Sequence, residues 1–288
     1  MSAVQVEGRV VAIRTTGAYQ QVTLHAPGVA AVARAGQFVA LSVGGDQTSM
    51  LLRRSFSIHR TGDGTVDVVV ADAGPGTHWI TTRRVDDPIG VVGPVGRPFP
   101  LPPEPVACTL VGGGYGSAPL FWLAQVLRDR GCRVDVVLGA ATAGRLFGVQ
   151  DAQRLAVTTT VTTDDGSLGT RGRVTDVLPD VLSRGQTELV YACGPMAMLR
   201  AVTDVAVAHG ALAHVAVEES MACGIGICMT CVMPVTGDDG RTRMVRSCVE
   251  GPVFRGDRVR WDSWQEGIGR VPPDAVGAPR PASETGLR

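Results

Sequence analysis

Four cysteines near the C-terminal end constrain the possible folds of this chain more than any other feature. The first three follow a Cys-x4-Cys-x2-Cys pattern, and sixteen residues separate the third from the fourth. This is the spacing of plant-type [2Fe–2S] sites. Glycines between the first two cysteines let the backbone curl and point N–H groups at sulfur, as a cluster-binding loop requires. The sequence therefore predicts an electron carrier whose cluster ligands are Cys223, Cys228, Cys231 and Cys248.

Two other roles for these cysteines remain open from the residues alone. A structural zinc site usually combines two close pairs of Cys or His ligands, whereas a single close pair occurs here with no histidine beside it. Disulfides are disfavoured because the chain has seven cysteines, an odd count, and because no secretory signal precedes them. We therefore favour a cluster over zinc and expect a cytoplasmic protein.

The charge distribution argues against nucleic-acid and membrane partners. The formal net charge is zero, with 27 basic and 27 acidic side chains scattered along 288 residues. Such a chain has neither the basic stripe of a nucleic-acid-binding protein nor a polybasic membrane patch. The uncharged stretch of residues 105–127 is interrupted by glycines and by Pro119, so it predicts a strand, a turn and a helix rather than a membrane span.

Hydrophobic patterning predicts that the chain is an α+β multidomain protein. Short apolar or alternating runs up to about residue 101 predict an N-terminal antiparallel β-barrel over residues 1–102, and a proline-rich linker follows. Apolar strands then alternate with helical segments, which predicts a central α/β parallel sheet over residues 103–217. A small C-terminal [2Fe–2S] domain is predicted over residues 218–262. Residues 269–288 are rich in Pro, Gly and Ala and lack periodicity, so a disordered tail is predicted over residues 263–288.

A glycine-rich loop joins the first strand of the predicted parallel sheet to its first helix. Glycines at residues 112–114 and 116 permit close approach of phosphates to the helix N-terminus. The loop does not satisfy the strict G-x-G-x-x-G rule, and no ribose-binding carboxylate follows the second strand. Taken alone, it is compatible with a tight turn that binds nothing. Combined with the cysteine pattern, it predicts a dinucleotide site.

The chain resembles ferredoxin reductase-like flavoproteins, and among them most closely the electron transfer subunits of dihydroorotate dehydrogenase B. The resemblance runs from about residue 4 to residue 262. It is most specific around the cysteines, at residues 218–226 and 247–254. The remaining motifs occur in the family's order at residues 51–58, 74–77, 93–96, 112–119, 164–167 and 193–196.

The resemblance implies that FAD binds the barrel through the family's Arg-Pro-x-Ser motif. Arg54 would pair with the diphosphate, and Ser55 stands where the family usually has proline. The alternative is that Arg53 and Arg54 form a solvated strand end. The implied flavin-binding residues are Arg54, Ser55, Phe56 and Ser57, then Val69, Val70 and Ala71, and finally Gly76 and Thr77.

The same resemblance implies that NAD(H) lies across the glycine-rich loop, with Cys193 near the nicotinamide. Cys193 can equally be a buried, small apolar residue. Asp164 and Asp165 favour NADH over NADPH because carboxylates repel a 2′-phosphate and accept ribose hydroxyls, although Arg145 and Arg171 are close in sequence. The implied dinucleotide-binding residues are Gly112, Gly113, Gly114, Tyr115, Gly116, Asp164, Asp165, Cys193, Gly194 and Pro195.

Three redox groups of this kind form a functional series. A nicotinamide carries two electrons as hydride, an iron–sulfur cluster accepts one at a time, and a flavin exchanges electrons with both. Because hydride passes directly to the flavin ring, no catalytic acid, base or nucleophile is expected. The five histidines form no ligand pattern, and we expect each to be a surface or packing residue.

The resemblance also implies a partner. In the resembled family it is an FMN-containing catalytic subunit that oxidises dihydroorotate in pyrimidine biosynthesis, within a heterotetramer that reduces NAD. Two alternatives stay open. One keeps the cofactors but serves a sulfite reductase, a sulfhydrogenase or a ferredoxin:NADP oxidoreductase. The other is a zinc-stabilised, nucleotide-binding regulatory protein without redox groups.

Overall fold

The N-terminal part of the chain forms a closed six-stranded barrel in the computed structural model, which describes residues 3–45, 48–218, 220–265 and 268–277. All neighbouring strands are antiparallel, in the order β1-β2-β5-β4-β3-β6. Alternating β-branched residues fill the interior, as the sequence predicted. The strands are β1 (Val4–Thr16), β2 (Tyr19–His25), β3 (Phe38–Leu41), β4 (Arg54–Gly62), β5 (Thr65–Ala71) and β6 (Pro88–Val95), with helices α1 (Pro27–Ala30) and α2 (Pro75–Thr81) between them.

A second sheet follows the barrel, and its parallel strands confirm the predicted α/β class. The strand order is β10-β9-β8-β7-β11-β12-β15. Central strands are buried on both faces, which explains their nearly continuous apolar sequences. The elements are β7 (Ala107–Gly113), α3 (Ala118–Asp129), β8 (Arg133–Ala140), α4 (Val149–Leu155), β9 (Thr158–Thr163), β10 (Thr170–Arg171), α5 (Val174–Gly185), β11 (Leu189–Cys193), α6 (Met196–Ala208) and β12 (Leu212–Ala216).

The cysteine-rich segment is attached to the edge of this second sheet. Its strand β15 pairs antiparallel with β12, and Val217 N donates to Pro252 O at 2.9 Å. The second sheet therefore continues across the predicted boundary between residues 217 and 218, because it contains strands from both sides of that boundary. The strands that the structure describes beyond residue 218 are β13 (Val232–Thr236), β14 (Thr242–Arg246), β15 (Val253–Arg255), β16 (Trp264–Gln265) and β17 (Ile268–Gly269).

The beginning of the predicted disordered tail is ordered. Val276 N donates to Thr242 O at 2.8 Å, and Arg260 Nη1 lies 2.7 Å from Asp274 Oδ2. Ala275 is buried. Residues 268–277 of the predicted tail thus contact β14 and Arg260, which local composition does not reveal. Residues 278–288 of the predicted tail lie outside the described residues.

Helix α3 holds the two large parts of the molecule together. It packs on β4, where the fully buried His59 places Nδ1 2.6 Å from the carbonyl oxygen of Ala118. Burial lowers the pKa of His59, which is consistent with the predicted packing role of the histidines. The uncharged stretch 105–127 forms β7, a short turn and α3, as predicted. Among the described residues, no helix has the length and apolar content needed to cross a membrane.

Candidate cofactor sites

A cavity of about 430 Å³ lies between the barrel and the second sheet. The barrel contributes its predicted flavin motif on β4, and the second sheet contributes the turn before α3. The chain after β12 completes the wall, immediately before the cysteines. The lining residues include Arg54, Ser55, Phe38, Tyr115, Glu218 and Met221.

Most of the predicted flavin residues line this cavity. Those that do so are Arg54, Ser55, Phe56, Ser57, Val69, Ala71 and Thr77. Val70 does not, because alternate residues of β5 point into the barrel and Val70 is fully buried there. Gly76 leaves room for Arg54, since a Cβ at Gly76 would lie 2.5 Å from Arg54 Nε. The Thr77 hydroxyl is used within its own turn, accepting from the N–H groups of Ala73 and Gly74.

The two adjacent arginines of the flavin motif have different surroundings. Arg53 is tied to the barrel, with Nη1 donating to Ser42 Oγ at 2.6 Å and to Gly90 O at 3.2 Å. Arg54 extends over Gly76 beside the cavity and donates to Leu52 O at 2.7 Å. A cation beside a cavity suits an anionic ligand such as a diphosphate. The geometry therefore supports Arg54 as a phosphate contact over the alternative of a solvated strand end.

A second cavity, of about 520 Å³, lies at the carboxyl ends of β7, β8 and β9. This is where open α/β sheets bind their ligands. Of the predicted dinucleotide residues, Gly113, Gly114, Tyr115, Asp164 and Pro195 line it.

The other predicted residues support the loop from behind or lie elsewhere. A Cβ at Gly112 would lie 2.5 Å from Ser117 Cβ, and one at Gly116 would lie 2.8 Å from Gly194 Cα. Asp165 does not line the cavity and accepts hydrogen bonds from the backbone and hydroxyl of Ser167. Gly112 and Gly116 therefore allow close packing within the glycine-rich loop, where Gly116 also lines the flavin cavity, and Asp165 stabilises the separate turn that contains Ser167.

Thr162 is a candidate ligand contact that the sequence analysis did not predict. It lines the second cavity and is fully buried, and its hydroxyl oxygen has no hydrogen-bond partner among the described residues. Buried hydroxyls are almost always hydrogen-bonded, so this one fits a bound ligand. Its position at the end of β9, beside Asp164, is the signal that could have identified it. Arg173, also not predicted, lines the same cavity.

Two residues, Tyr115 and Glu218, line both cavities. The Tyr115 ring is 5.6 Å from the Tyr19 ring, and Tyr19 Oη donates to Arg145 O at 2.8 Å. Desolvation raises the pKa of the Glu218 carboxyl, and it also raises the pKa of Tyr115, with Glu218 adding to that effect. The two cavities therefore share a wall formed by Tyr115 and Glu218. Ligands bound in the two cavities would lie next to each other.

Cys193 lies behind this meeting point rather than on it. It is buried and is not among the residues that line either cavity. Burial raises the pKa of its thiol well above the ordinary value, and the nearby Glu218 raises it further. The geometry favours the alternative of a buried, small apolar residue over direct contact with a nicotinamide.

The cysteine loop curls around the sulfur of Cys223, as the sequence predicted. Backbone N–H groups of Ile225, Ile227 and Cys228 donate to Cys223 Sγ at 3.5, 3.4 and 3.4 Å. Gly224 and Gly226 adopt φ angles of 71° and 84°, in the left-handed region that glycine tolerates without strain. Donors aimed at a sulfur stabilise its thiolate form, which is the form that binds metal.

The four thiols form two pairs, which fits a cluster with two irons. Cys231 Sγ lies 3.2 Å from Cys248 Sγ, and hydrogen bonds with Thr230, then with Cys223, lower the pKa of Cys228 to about 6. A [2Fe–2S] cluster takes two cysteine thiolates on each of its two irons, which this pairing would supply.

The cysteine loop lies directly against the flavin cavity. A Cβ at Gly224 would lie 3.2 Å from Ser55 Oγ and 3.6 Å from Phe38, and both residues line that cavity. Cys231 and Cys248 pack in one cluster with Phe38 and Val92 of the barrel. The three sites therefore follow one another in space: dinucleotide cavity, flavin cavity, cysteine loop.

Comparison with known proteins agrees with this arrangement. The iron–sulfur cluster binding domain of dihydroorotate dehydrogenase B matches residues 218–260, and the oxidoreductase NAD-binding domain matches residues 110–204. The electron transfer subunit of dihydroorotate dehydrogenase B (NAD(+)) from Geobacillus thermodenitrificans is 37% identical over 262 residues, covering 88% of this chain and 96% of the relative. The subunit of the same name from Desulforamulus reducens is 32% identical, with 82% and 90% covered. The chain belongs to this family of electron transfer subunits.

Solved structures place the family among ferredoxin reductase-like proteins. A structure of the NADH-dependent reduced ferredoxin–NADP oxidoreductase, reported for flavin-based electron bifurcation, has a TM-score of 0.78 at 31% identity and covers 89% of this chain and 91% of its own. The ferredoxin reductase of carbazole 1,9a-dioxygenase has a TM-score of 0.62 at 22% identity, with 73% and 67% covered. The second likeness shows the fold alone, and it agrees with the α+β arrangement described above.

Proposed function

We propose that this chain is the electron transfer subunit of an NAD-dependent dihydroorotate dehydrogenase. It passes electrons between a partner FMN subunit, which oxidises dihydroorotate in pyrimidine biosynthesis, and NAD. The spatial series of dinucleotide cavity, flavin cavity and cysteine loop is the observation that carries this proposal, since two residues connect the first two sites and the Gly224–Ser55 contact connects the last two. The relatives' names supply the partner and the substrate.

Each cofactor has residues suited to it. FAD would be held on the barrel by Arg54, Ser57 and the neighbouring cavity residues, and NAD(H) by the glycine-rich loop with Thr162 and Asp164. The four cysteines would hold the [2Fe–2S] cluster. When bound, these groups supply hydride transfer and single-electron transfer, so the chain itself binds, orients and encloses them. The domain limits 1–102, 103–217 and 218–262 are proposed as the units that bind FAD, NAD and the cluster.

The assembly is proposed to be a cytoplasmic heterotetramer with the FMN subunit. A reducing compartment suits a protein with seven free cysteines, four of them cluster ligands. A second candidate is a subunit of an NADH-dependent ferredoxin:NADP oxidoreductase, because a structure of that class matches nearly the whole chain. Both candidates use the same three sites and differ in the partner.

Purification of the chain with its native partner tests the proposal. We expect a complex with flavin and iron–sulfur absorption that reduces NAD with dihydroorotate. The isolated subunit should reduce artificial one-electron acceptors with NADH but should not oxidise dihydroorotate. A colourless preparation that contains zinc would contradict the redox function, and a partner that lacks dihydroorotate oxidation would favour the second candidate.

The preference for NADH over NADPH is proposed to depend on Asp164. Asp164 lines the dinucleotide cavity, but so do Arg145 and Arg173, whereas Arg171 does not. Replacing Asp164 with Ser removes the carboxylate that repels a 2′-phosphate and leaves both arginines, so we expect the KM for NADPH to fall about tenfold. The exposed Asp180→Ser is the matched control. Unchanged KM values for both dinucleotides would contradict the role of Asp164.

A further inference from the structure

Ser55 touches two of the three sites. It lies on β4 opposite Ala40 of β3 and lines the flavin cavity. It also lies against the cysteine loop, where a Cβ at Gly224 would come within 3.2 Å of its hydroxyl oxygen. Ser55 is therefore the flavin-motif residue at the contact between the barrel and the loop that carries Cys223.

Small residues on both sides make this contact close. Gly224 has a φ of 71°, and an added Cβ would also lie 3.5 Å from Ala40 Cβ. An alanine Cβ at this position would be tighter against Ser55 than an ordinary contact, so Ser55 or the loop would have to shift by a few tenths of an ångström. The close approach thus brings the backbone beside Cys223 up to the wall of the flavin cavity.

The Ser55 hydroxyl is available for a bond to the cluster. Within residues 3–45, 48–218, 220–265 and 268–277, it has no hydrogen-bond partner, in contrast to the Thr77 hydroxyl of the same motif region. The acceptors that a bound cluster would add at the adjacent loop are negatively charged sulfurs. Hydrogen bonds to charged acceptors are stronger than those between neutral groups.

We infer that the Ser55 hydroxyl donates a hydrogen bond to a sulfur of the cluster and thereby tunes electron transfer from the flavin cavity. This inference rests on the proposed function. Donors to cluster sulfurs stabilise the reduced form and raise the reduction potential. One electron passes in each step, and no bond to Ser55 is made or broken.

Position 55 is also where this chain departs from the motif of the family it resembles. The usual proline has neither a hydroxyl nor a backbone N–H, so it cannot donate a hydrogen bond. The serine therefore gives this chain a donor that a proline-bearing relative does not have at this position. The tuning is a property of this sequence and not of the fold.

Two substitutions at position 55 test the inference in the full, cofactor-loaded protein. In Ser55→Ala we expect a more negative midpoint potential of the cluster in an EPR-monitored titration. We also expect cluster reduction after rapid mixing with NADH to be several-fold slower relative to flavin reduction measured in the same variant. Ser55→Thr keeps the hydroxyl and should restore both values. Thr61→Val, at the other end of the same strand, should match the wild type.

Two kinds of failure can be told apart. A wild-type cluster potential in Ser55→Ala, or a shift confined to the flavin, would overturn the role of Ser55 and leave the proposed function standing. Absence of iron, or no reduction of the cluster by NADH in the unmodified protein, would overturn the proposed function and this inference together. Equal iron and FAD contents in all variants establish that the comparison concerns potential and not loading.

Discussion

The cysteines of the cluster loop have contrasting surroundings. Cys231 and Cys248 are buried and pack against Phe38 and Val92 of the barrel, on the side of the flavin cavity. Cys228 is exposed, and the neighbouring side chain of Ile227 is 76% exposed. Cys231 and Cys248 therefore face the inside of the molecule and Cys228 faces outward, while Gly224 beside Cys223 packs on the barrel.

Because of this difference, the two ends of a bound cluster would have different neighbours. The buried pair lies on the side of the flavin cavity, where the cluster would exchange electrons with the flavin, and the exposed end lies where a partner can approach. Ile225, Ile227 and Met229 add apolar surface around the exposed end, and exposed apolar groups of this kind often mark protein contacts. The buried cysteines would thus attach the cluster to the barrel, and the exposed cysteine would present the cluster to a partner.

Loss of a cluster ligand should have the largest effect. We expect Cys228→Ser to abolish NADH-linked turnover with the partner while FAD stays bound, because the exposed end no longer completes the cluster. Cys248→Ser should also lose turnover and should lower the unfolding temperature, because it replaces a buried sulfur in packed surroundings. Cys132→Ala, remote from the loop, serves as the control and should keep turnover. Normal turnover in Cys228→Ser would refute the relay through the cluster.

Removal of the cluster should expose a large difference in thiol reactivity. The pKa of Cys228 is lowered to about 6 by hydrogen bonds with Thr230, and burial raises the pKa of Cys248 to about 12. At pH 7, Cys228 is therefore mostly thiolate, whereas Cys248 is a protonated thiol. Iodoacetamide should label Cys228 many times faster, with half-maximal rate near pH 6, as peptide mapping by mass spectrometry can measure. Equal labelling rates for Cys228 and Cys248 would contradict the predicted difference in their thiol pKa values.

A polar substitution at the exposed end should weaken partner binding. Ile227→Asn removes apolar surface that a partner would cover, and we expect an affinity loss of about tenfold. NADH oxidation with an artificial acceptor should keep its rate, because Ile227 does not line either cavity. Val207→Asn, an exposed apolar residue on α6, is the matched control. Unchanged affinity in Ile227→Asn would show that the partner binds elsewhere.

The smallest effect is expected at the barrel side of the loop. Gly224→Ala imposes a left-handed φ on alanine and presses on Ser55, which should cost about 1 kcal/mol of unfolding free energy and slow cluster reduction. Gly240→Ala has a similar φ of 75° with open space around it. It should show the backbone cost without the change in rate. Thermal unfolding and rapid-mixing kinetics of both variants separate the two contributions.

The predictable parts of this molecule were those with a local cause. The cysteine spacing reflects the geometry of metal ligation, and alternation in the first hundred residues reflects a barrel wall with one buried face, so both could be inferred from sequence. The curl around Cys223 follows from glycines at 224 and 226.

Features that depend on distant pairing could not be inferred. Strand β15 adds to the second sheet because β12 offers an open edge, which no local pattern reveals. Arg171 and Arg173 are two residues apart, yet only Arg173 lines the dinucleotide cavity, since the Arg171 side chain packs beside Gly166. Thr162 became a candidate contact only when its burial and its missing partner could be seen together.

The hydrogen bond between Val217 and Pro252 has a consequence for how such proteins are assembled. Residues 218–251 leave and rejoin the sheet at one point, so their length does not alter the spacing of the strands on either side. The first residues of this segment nevertheless complete both cavities, because Glu218 lines both of them and Met221 lines the flavin cavity. A change of length beyond Met221 would therefore leave the sheet and both cavities in place, whereas a deletion that includes Glu218 would open both cavity walls.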